Sequence, residues 1–234
     1  MTKIPAVILA GGRSRRMGTD KALLPLRGRA MIEHVIAALA PQTSALLISS
    51  NSDPRNFSHL GLPVMADNIG GYRGPLAGIL TAMHWARALG ASHLVSAPAD
   101  VPFLPDDLAA KLSAAGGIAF AVSGGQAHPV LALWPVALAS RLADDLRRGE
   151  AAGVRRWLEQ AGAVAVEFPD PARFVNINHP GDLQQADQGL SSYFPEIPVA
   201  RMGRRLQPEH CIGRRHKIGC KNSLRNFFAG ISAG

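Results

Sequence analysis

The densest chemistry in the chain lies in thirteen residues near its start, Leu9-Ala10-Gly11-Gly12-Arg13-Ser14-Arg15-Arg16-Met17-Gly18-Thr19-Asp20-Lys21. Adjacent glycines let backbone N–H groups approach phosphate oxygens with no Cβ in the way. Arg13, Arg15, Arg16 and Lys21 would repel one another without an anion between them, and a triphosphate supplies one. The run follows Ile4–Leu9, an apolar stretch that reads as a buried parallel strand. Ligands of open α/β sheets sit beyond the carboxyl ends of such strands. The pattern is neither a P-loop, because Gly18 is followed by Thr-Asp-Lys, nor a dinucleotide fingerprint.

Six further positions complete the constellation. Asp100 ends an apolar run and precedes a proline by two residues, which puts a carboxylate at the same sheet edge as the loop. Mg²⁺ usually takes one or two protein carboxylates with substrate phosphates and water, so one such Asp suffices. The competing role, N-cap of a helix opening at Pro105, places Asp100 too far upstream. Asp67 follows another short strand and reads either as a ligand contact or as an Asx turn with Asn68, Gly70 and Gly71. Ser49 and Asn51 stand two apart at a strand end, so both can face the same way, and either can serve a ligand. Asn176 and Asn178 also alternate; they suit a polar ligand edge, or Asn178 caps a following helix. There is no Ser-His or Cys-His arrangement. His34, His84 and His93 fall inside expected elements and read as structural. Arg155 and Arg156 read more readily as ordinary exposed helical arginines than as anion ligands.

These groups need elements to position them. Strands are expected at Ile4–Leu9, Ala45–Ser49, Leu62–Met65, His93–Ala97, Ile118–Val122, Val130–Trp134 and Ala163–Phe168. Helices are expected at Met31–Ala40, from Leu76 to about Gly90, from Pro105, and at Pro135–Arg148, Val154–Ala161 and Pro180–Leu190. Leu76, Ile79, Leu80 and Met83 give the second helix its spacing. The alternation predicts an α/β fold: a three-layer, Rossmann-like arrangement with a mostly parallel central sheet.

Apolar residues make up 47% of the 234, enough for a sizeable core, and aromatics only 6%, which suits an α/β protein better than a β-sandwich. The net charge of +8 is concentrated after Ser191, where eight basic residues face only Glu196 and Glu209, so that segment carries +6. The expected organisation is therefore a domain over 1–190 and a basic, poorly ordered extension over 191–234. Both cysteines, Cys211 and Cys220, lie in the extension. With His210 and His216 they fall short of a zinc knuckle. A disulfide framework is not expected. The apolar run at the start is interrupted by Gly11-Gly12 too early for a secretory leader, and no stretch is long enough for a membrane span. A cytoplasmic protein without a membrane partner is expected. Nucleic acid is disfavoured as a partner because the extension has few aromatic platforms.

The Leu-Ala-Gly-Gly-x-Ser-x-Arg-Met-Gly-x-Asp-Lys run resembles the signature of the nucleotidyltransferases that act on sugar phosphates and cofactors. With Gly74-Pro75-Leu76-Ala77-Gly78, Ala99-Asp100-Val101-Pro102 and Val175-Asn176-Ile177-Asn178-His179-Pro180, the pattern is most similar to the molybdenum cofactor guanylyltransferase family, over about residues 4–190. The resemblance implies a nucleotidyltransferase fold and transfer of GMP from GTP to the terminal phosphate of molybdopterin, with release of pyrophosphate. It implies Leu9, Ala10, Gly11, Gly12, Arg13, Lys21, Asp67 and Asp100 as nucleotide contacts, with Ser49 or Asn51. A carboxylate at Asp67 accepts the adjacent N–H donors of a guanine edge. Arg16, Lys21 and Asp100 become catalytic, Asp100 holding Mg²⁺, and Asn176 and Asn178 face the pterin. GTP and the molybdenum cofactor are the implied partners, with molybdoenzymes or other cofactor-synthesis proteins beyond them. A cytidylyltransferase of the same cofactor, a sugar-phosphate nucleotidyltransferase, and a nucleic-acid-binding protein acting through the tail remain as alternatives.

Overall fold

The structure is a computed structural model and describes residues 3–11, 20–67, 74–178 and 182. Gly12, Arg13 and Arg16, the expected Asn68–Gly71 turn, all of the expected Pro180–Leu190 helix but Asp182, and the basic extension with its cysteines lie outside the described residues. In chain order the elements are β1 (Ala6–Leu9), β2 (Pro25–Leu26), β3 (Arg29–Ala30), α1 (Met31–Leu39), β4 (Leu46–Ser49), β5 (Val64–Met65), α2 (Pro75–Ala88) and β6 (His93–Pro98). They continue as α3 (Leu108–Ala114), β7 (Ala119–Ser123), β8 (Gln126–Pro135), α4 (Ala139–Arg148), α5 (Val154–Gln160) and β9 (Val164–Phe168).

Among the described residues a seven-stranded sheet runs β5-β4-β1-β6-β8-β7-β9. Every pairing is parallel except the two made by β8. Side chains alternate along β1 and divide the core. Ala6 and Ile8 join Ile32, Val35 and Leu39 of α1 and Leu108 and Leu112 of α3 on one face. Val7 joins Leu76, Ile79 and Met83 of α2 and Leu142, Leu146, Trp157 and Leu158 of α4 and α5 on the other. Burying both faces is why the central strands carry continuous apolar runs. The three-layer, mostly parallel α/β arrangement expected from the alternation is the one observed.

Local departures have identifiable causes. The third helix starts at Leu108, not at Pro105. Gln42, just past α1, donates from Nε2 to the Pro105 carbonyl (2.8 Å) and accepts from Ala109 N–H (3.0 Å). A side chain remote in sequence thus caps the helix that was expected to open at Pro105. The strand expected from Val130 begins at Gln126, and Pro135 ends it, so the following helix enters through a 3₁₀ turn at Val136–Leu138. The β2–β3 ribbon was not anticipated. Arg27 (φ 49°) and Gly28 (φ 76°) form its left-handed two-residue turn. Among the described residues, no helix is long and apolar enough to cross a membrane.

Candidate active site

β1 is the switch point of the sheet. The chain moves outward on one side to β4 and β5, then crosses to β6 on the other, which leaves a crevice beyond the carboxyl ends of β4, β1 and β6. The sequence places Ala10-Gly11, Ser50-Asn51 and Ala99-Asp100 there. Backbone bonds continue the ladder past the strand ends, with Ala10 N–H donating to Ser49 (2.9 Å) and Ala99 N–H to Leu9 (3.0 Å). The loop after β1 therefore starts from a rigid point.

Lys21 is the centre of the site. Its Nζ lies 2.7 Å from Asp100 Oδ2 and 2.8 Å from Asn178 Oδ1. Both charged side chains keep access to solvent, at 18% and 26% exposure, so the pair stays reachable by a ligand. Asp20 sets the direction of Lys21. Its carboxylate accepts Ala22 N–H (3.1 Å), capping the turn Lys21–Leu23, and accepts the Ser52 hydroxyl beyond β4 (2.9 Å). Nothing in the sequence singled out Asp20 beyond its place in the loop, because its partner lies 32 residues away.

Asn176 and Asn178 are exposed to either side of buried Ile177. Ile177 is 1% exposed and packs with Leu26, Met31 and Phe103, while its N–H donates to the Asp100 carbonyl (2.9 Å). The β2–β3 ribbon thus supplies part of the floor that lays this strip along Asp100. Asn178 gives its backbone N–H to Asp182 (2.8 Å), and its side-chain Oδ1 accepts from Lys21 Nζ, so that side chain faces the site.

Asp67 and Asn51 form a second group. Asn51 Nδ2 donates to Asp67 Oδ2 (2.8 Å) and Asp67 N–H donates to Asn51 Oδ1 (2.9 Å). Asn51 lines the cavity, whereas Ser49 is 4% exposed beneath α2. Helix α2 reaches this point because residue 78 is glycine. A Cβ there would collide with Ser49 Oγ and sit 3.1 Å from Leu9 Cδ2 and 3.3 Å from Asp67 Oδ1. Gly74 (φ 67°) and Pro75 at the first helical position turn the chain into α2 at the cavity rim.

With Asp67 standing behind Asn51, the residues Asp20, Lys21, Asn51, Asp100, Asn176 and Asn178 line one side of a cavity of about 1850 Å³. That exceeds the roughly 300–1,000 Å³ that encloses one small ligand, so two substrates fit side by side. The opposite wall comes from the β7–β8 turn and Pro171–Val175, with Gln126, His128 and Phe174 prominent. Burial pushes the His128 pKa down from its usual value. His128, Gln126 and Phe174 do not stand out in the sequence, since a single His-Pro pair carries no spacing signal. Arg155 pairs with Glu159 on α5 (3.0 Å) and, like Arg156, does not line the cavity. His34 donates from Nε2 to the Leu26 carbonyl (2.8 Å) inside the fold, and burial lowers its pKa.

Comparison with known proteins supplies the family and agrees with the fold. The MobA-like NTP transferase domain matches residues 6–165. A molybdenum cofactor guanylyltransferase of Cereibacter sphaeroides is 49% identical over 187 residues, covering 79% of this chain and 95% of the relative. Its counterpart in Rhizobium meliloti is 47% identical over 201 residues, covering 80% and 91%. Among solved structures, molybdopterin-guanine dinucleotide biosynthesis protein A from Archaeoglobus fulgidus superposes with a TM-score of 0.60 at 22% identity, covering 80% of this chain and 98% of that one. A 2-C-methyl-D-erythritol 4-phosphate cytidylyltransferase from Thermus thermophilus gives 0.56 at 20%, with 80% and 98% covered. The solved structures share the fold, and the curated relatives carry the family assignment: this chain belongs to the molybdenum cofactor guanylyltransferases of the MobA-like nucleotidyltransferase family.

Proposed function

We propose that the chain transfers GMP from GTP to the terminal phosphate of molybdopterin, releasing pyrophosphate and leaving the molybdopterin guanine dinucleotide. The observation that carries this reading is the meeting of Lys21 Nζ, Asp100 Oδ2 and Asn178 Oδ1 beyond the carboxyl ends of β1 and β6. The relatives at 47–49% identity are named for the same reaction.

An acceptor phosphate oxygen attacks the α-phosphorus; one P–O bond forms there, and the bond to the β-phosphate oxygen breaks with its electron pair leaving on pyrophosphate. The nucleophile is already anionic, so no general base is needed. The work of the chain is alignment and neutralisation of charge. Leu9, Ala10 and Gly11 present backbone to the nucleotide, and Gly12 and Arg13 keep the contacts that the family motif implies. Lys21 and Arg16 hold the phosphates. Asn51 and Asp67, braced on each other, meet the guanine side, with Ser49 packed beneath them; Asn176 and Asn178 face the pterin.

Two hard oxygen donors converging on one ammonium suit a cation. Among the described residues no cluster of three or more His, Cys, Asp or Glu side chains could hold a metal by itself, so substrate phosphates would complete the shell. Asp100, with Asn178 beside it, would hold Mg²⁺, which supplies Lewis-acid neutralisation of the phosphates.

Incubating the full chain with Mg²⁺-GTP and molybdopterin, then weighing the products by mass spectrometry, tests the proposal. The dinucleotide and pyrophosphate are expected. Product from CTP but not from GTP would overturn the choice of nucleotide, and no product from any triphosphate would overturn the reaction.

A further inference from the structure

His128 stands where the β7–β8 ladder breaks. Ala121 pairs with His128 while Phe120 pairs with Ala132, so Pro129, Val130 and Leu131 form a bulge in β8 directly after it. Proline has no N–H for a ladder, and bulges re-aim neighbouring side chains near active sites. The bulge is itself anchored, with the Ser96 hydroxyl donating to the Val130 carbonyl (2.6 Å). The result turns the imidazole to the cavity.

The ring is held on one side only. Its centroid lies 4.8 Å from that of Phe174, tilted 33°, and Phe174 lies 5.2 Å from Phe168. Phe174 is 3% exposed, so the support is fixed. Among the described residues neither imidazole nitrogen has a hydrogen-bond partner, and no side-chain nitrogen or oxygen is both sealed and unsatisfied. Both nitrogens therefore keep some access from outside the fold. His34 and His93, by contrast, use a ring nitrogen on the Leu26 carbonyl and the Ser92 hydroxyl.

The surroundings indicate what those nitrogens meet. Every charged side chain that lines the cavity, among the described residues, lies at the strand-end side: Asp20, Lys21 and Asp100. The wall around His128 has none. A neutral imidazole carries one donor and one acceptor, and burial favours that neutral form here. Phe174 also links this wall to the strip that begins two residues later at Asn176. We infer that His128 is a specificity-determining contact for the acceptor, its imidazole edge hydrogen-bonding the uncharged planar heterocycle while the acceptor's phosphate lies at the Lys21 end.

This inference rests on molybdopterin being the acceptor, and its test separates the two. His128→Phe keeps a ring against Phe174 and removes both nitrogens; His128→Gln restores a donor and an acceptor without the ring. At saturating GTP, His128→Phe should raise the KM for molybdopterin about tenfold, the factor that one lost hydrogen bond represents. The kcat and the calorimetric Kd for GTP should stay at wild-type values, and His128→Gln should recover part of the loss. A titration of pterin fluorescence without GTP reads the same contact where no turnover is needed. Wild-type pterin affinity in His128→Phe would overturn the role of His128. An equal loss of GTP affinity would overturn its assignment to the acceptor. Failure of the wild-type chain to make any dinucleotide, with pterin binding still sensitive to residue 128, would instead overturn the reaction and leave this contact standing.

Discussion

The two sides of the cavity are built by different rules. On the strand-end side, parallel strands stop at one level and deliver short polar groups from distant parts of the chain to a common point. Lys21 and Asp100 are 79 residues apart and Lys21 and Asn178 are 157 apart. On the opposite wall a local hairpin and a 3₁₀ turn at Pro171–Phe174 present rings and amides with no charge. The first side handles charge that changes during a reaction; the second offers shape and fixed hydrogen bonds. If phosphate chemistry and recognition of the acceptor's ring are divided in this way, substitutions should separate them.

The largest effect belongs to Asp100. Asp100→Ala should lower kcat on the order of 10²–10³-fold, the scale of losing a charge-stabilising group in a reacting site. Because the carboxylate is partly exposed, thermal unfolding should move little. A large loss of stability with modest loss of rate would make Asp100 structural and would break the distinction between the two sides.

Next comes Gly78. Gly78→Ala drives a methyl group into Ser49 Oγ and against Leu9 and Asp67, a crowding that costs about 1–3 kcal/mol. Denaturant unfolding should show it, and GTP affinity should fall with it because Asp67 and Asn51 are displaced. Adding Ser49→Ala should restore part of both. Recovery of neither would mean that α2 relaxes elsewhere.

A smaller effect distinguishes Asn51 from Ser49. Asn51→Ala removes both the cavity-facing amide and the brace on Asp67, so GTP affinity should drop about tenfold. Ser49→Ala should change it less, since Ser49 is buried. The reverse order would place the nucleotide deeper than the exposed pair.

The smallest is a pH effect on folding. Burial lowers the pKa of His34, His84 and His128 below the ordinary 6.5. As pH falls through 6.5 the unfolded chain takes up protons that the folded chain resists, so stability is complete above that value and declines below it. Melting curves between about pH 7.5 and pH 5 should show the decline, with His34→Gln flattening it if that residue folds normally. A Tm that rises on acidification over the same window would contradict the assignment.

How far the site could be read in the sequence follows from the same contrast. Lys21, Asp100, Asn51, Asp67, Asn176 and Asn178 were legible because strand ends mark themselves by a change from apolar to polar or turn residues, and because alternation puts i and i+2 on one face. The layers were legible for the same reason: buried parallel strands read as continuous apolar runs between helical periods. What escaped depends on partners far away in sequence. Gln42 caps α3 across 67 residues, Asp20 answers to Ser52, and the crowding that requires glycine at 78 involves Leu9, Ser49 and Asp67 together. His128 escaped because a bulge, not a periodicity, aims it. The β2–β3 ribbon escaped because its strands are two residues each.

The central claim is that residues meeting at Lys21 carry out guanylyl transfer to molybdopterin. Its most direct test is a single turnover of the full chain with Mg²⁺-GTP labelled at the α-phosphate and limiting molybdopterin, analysed by mass. The α-phosphate and guanosine should appear together on the pterin while unlabelled pyrophosphate is released, and Asp100→Ala should slow formation of this product on the order of 10²–10³-fold. Label recovered only as GDP or free GMP would contradict it, as would an unlabelled cytidylyl dinucleotide as the sole product when CTP competes.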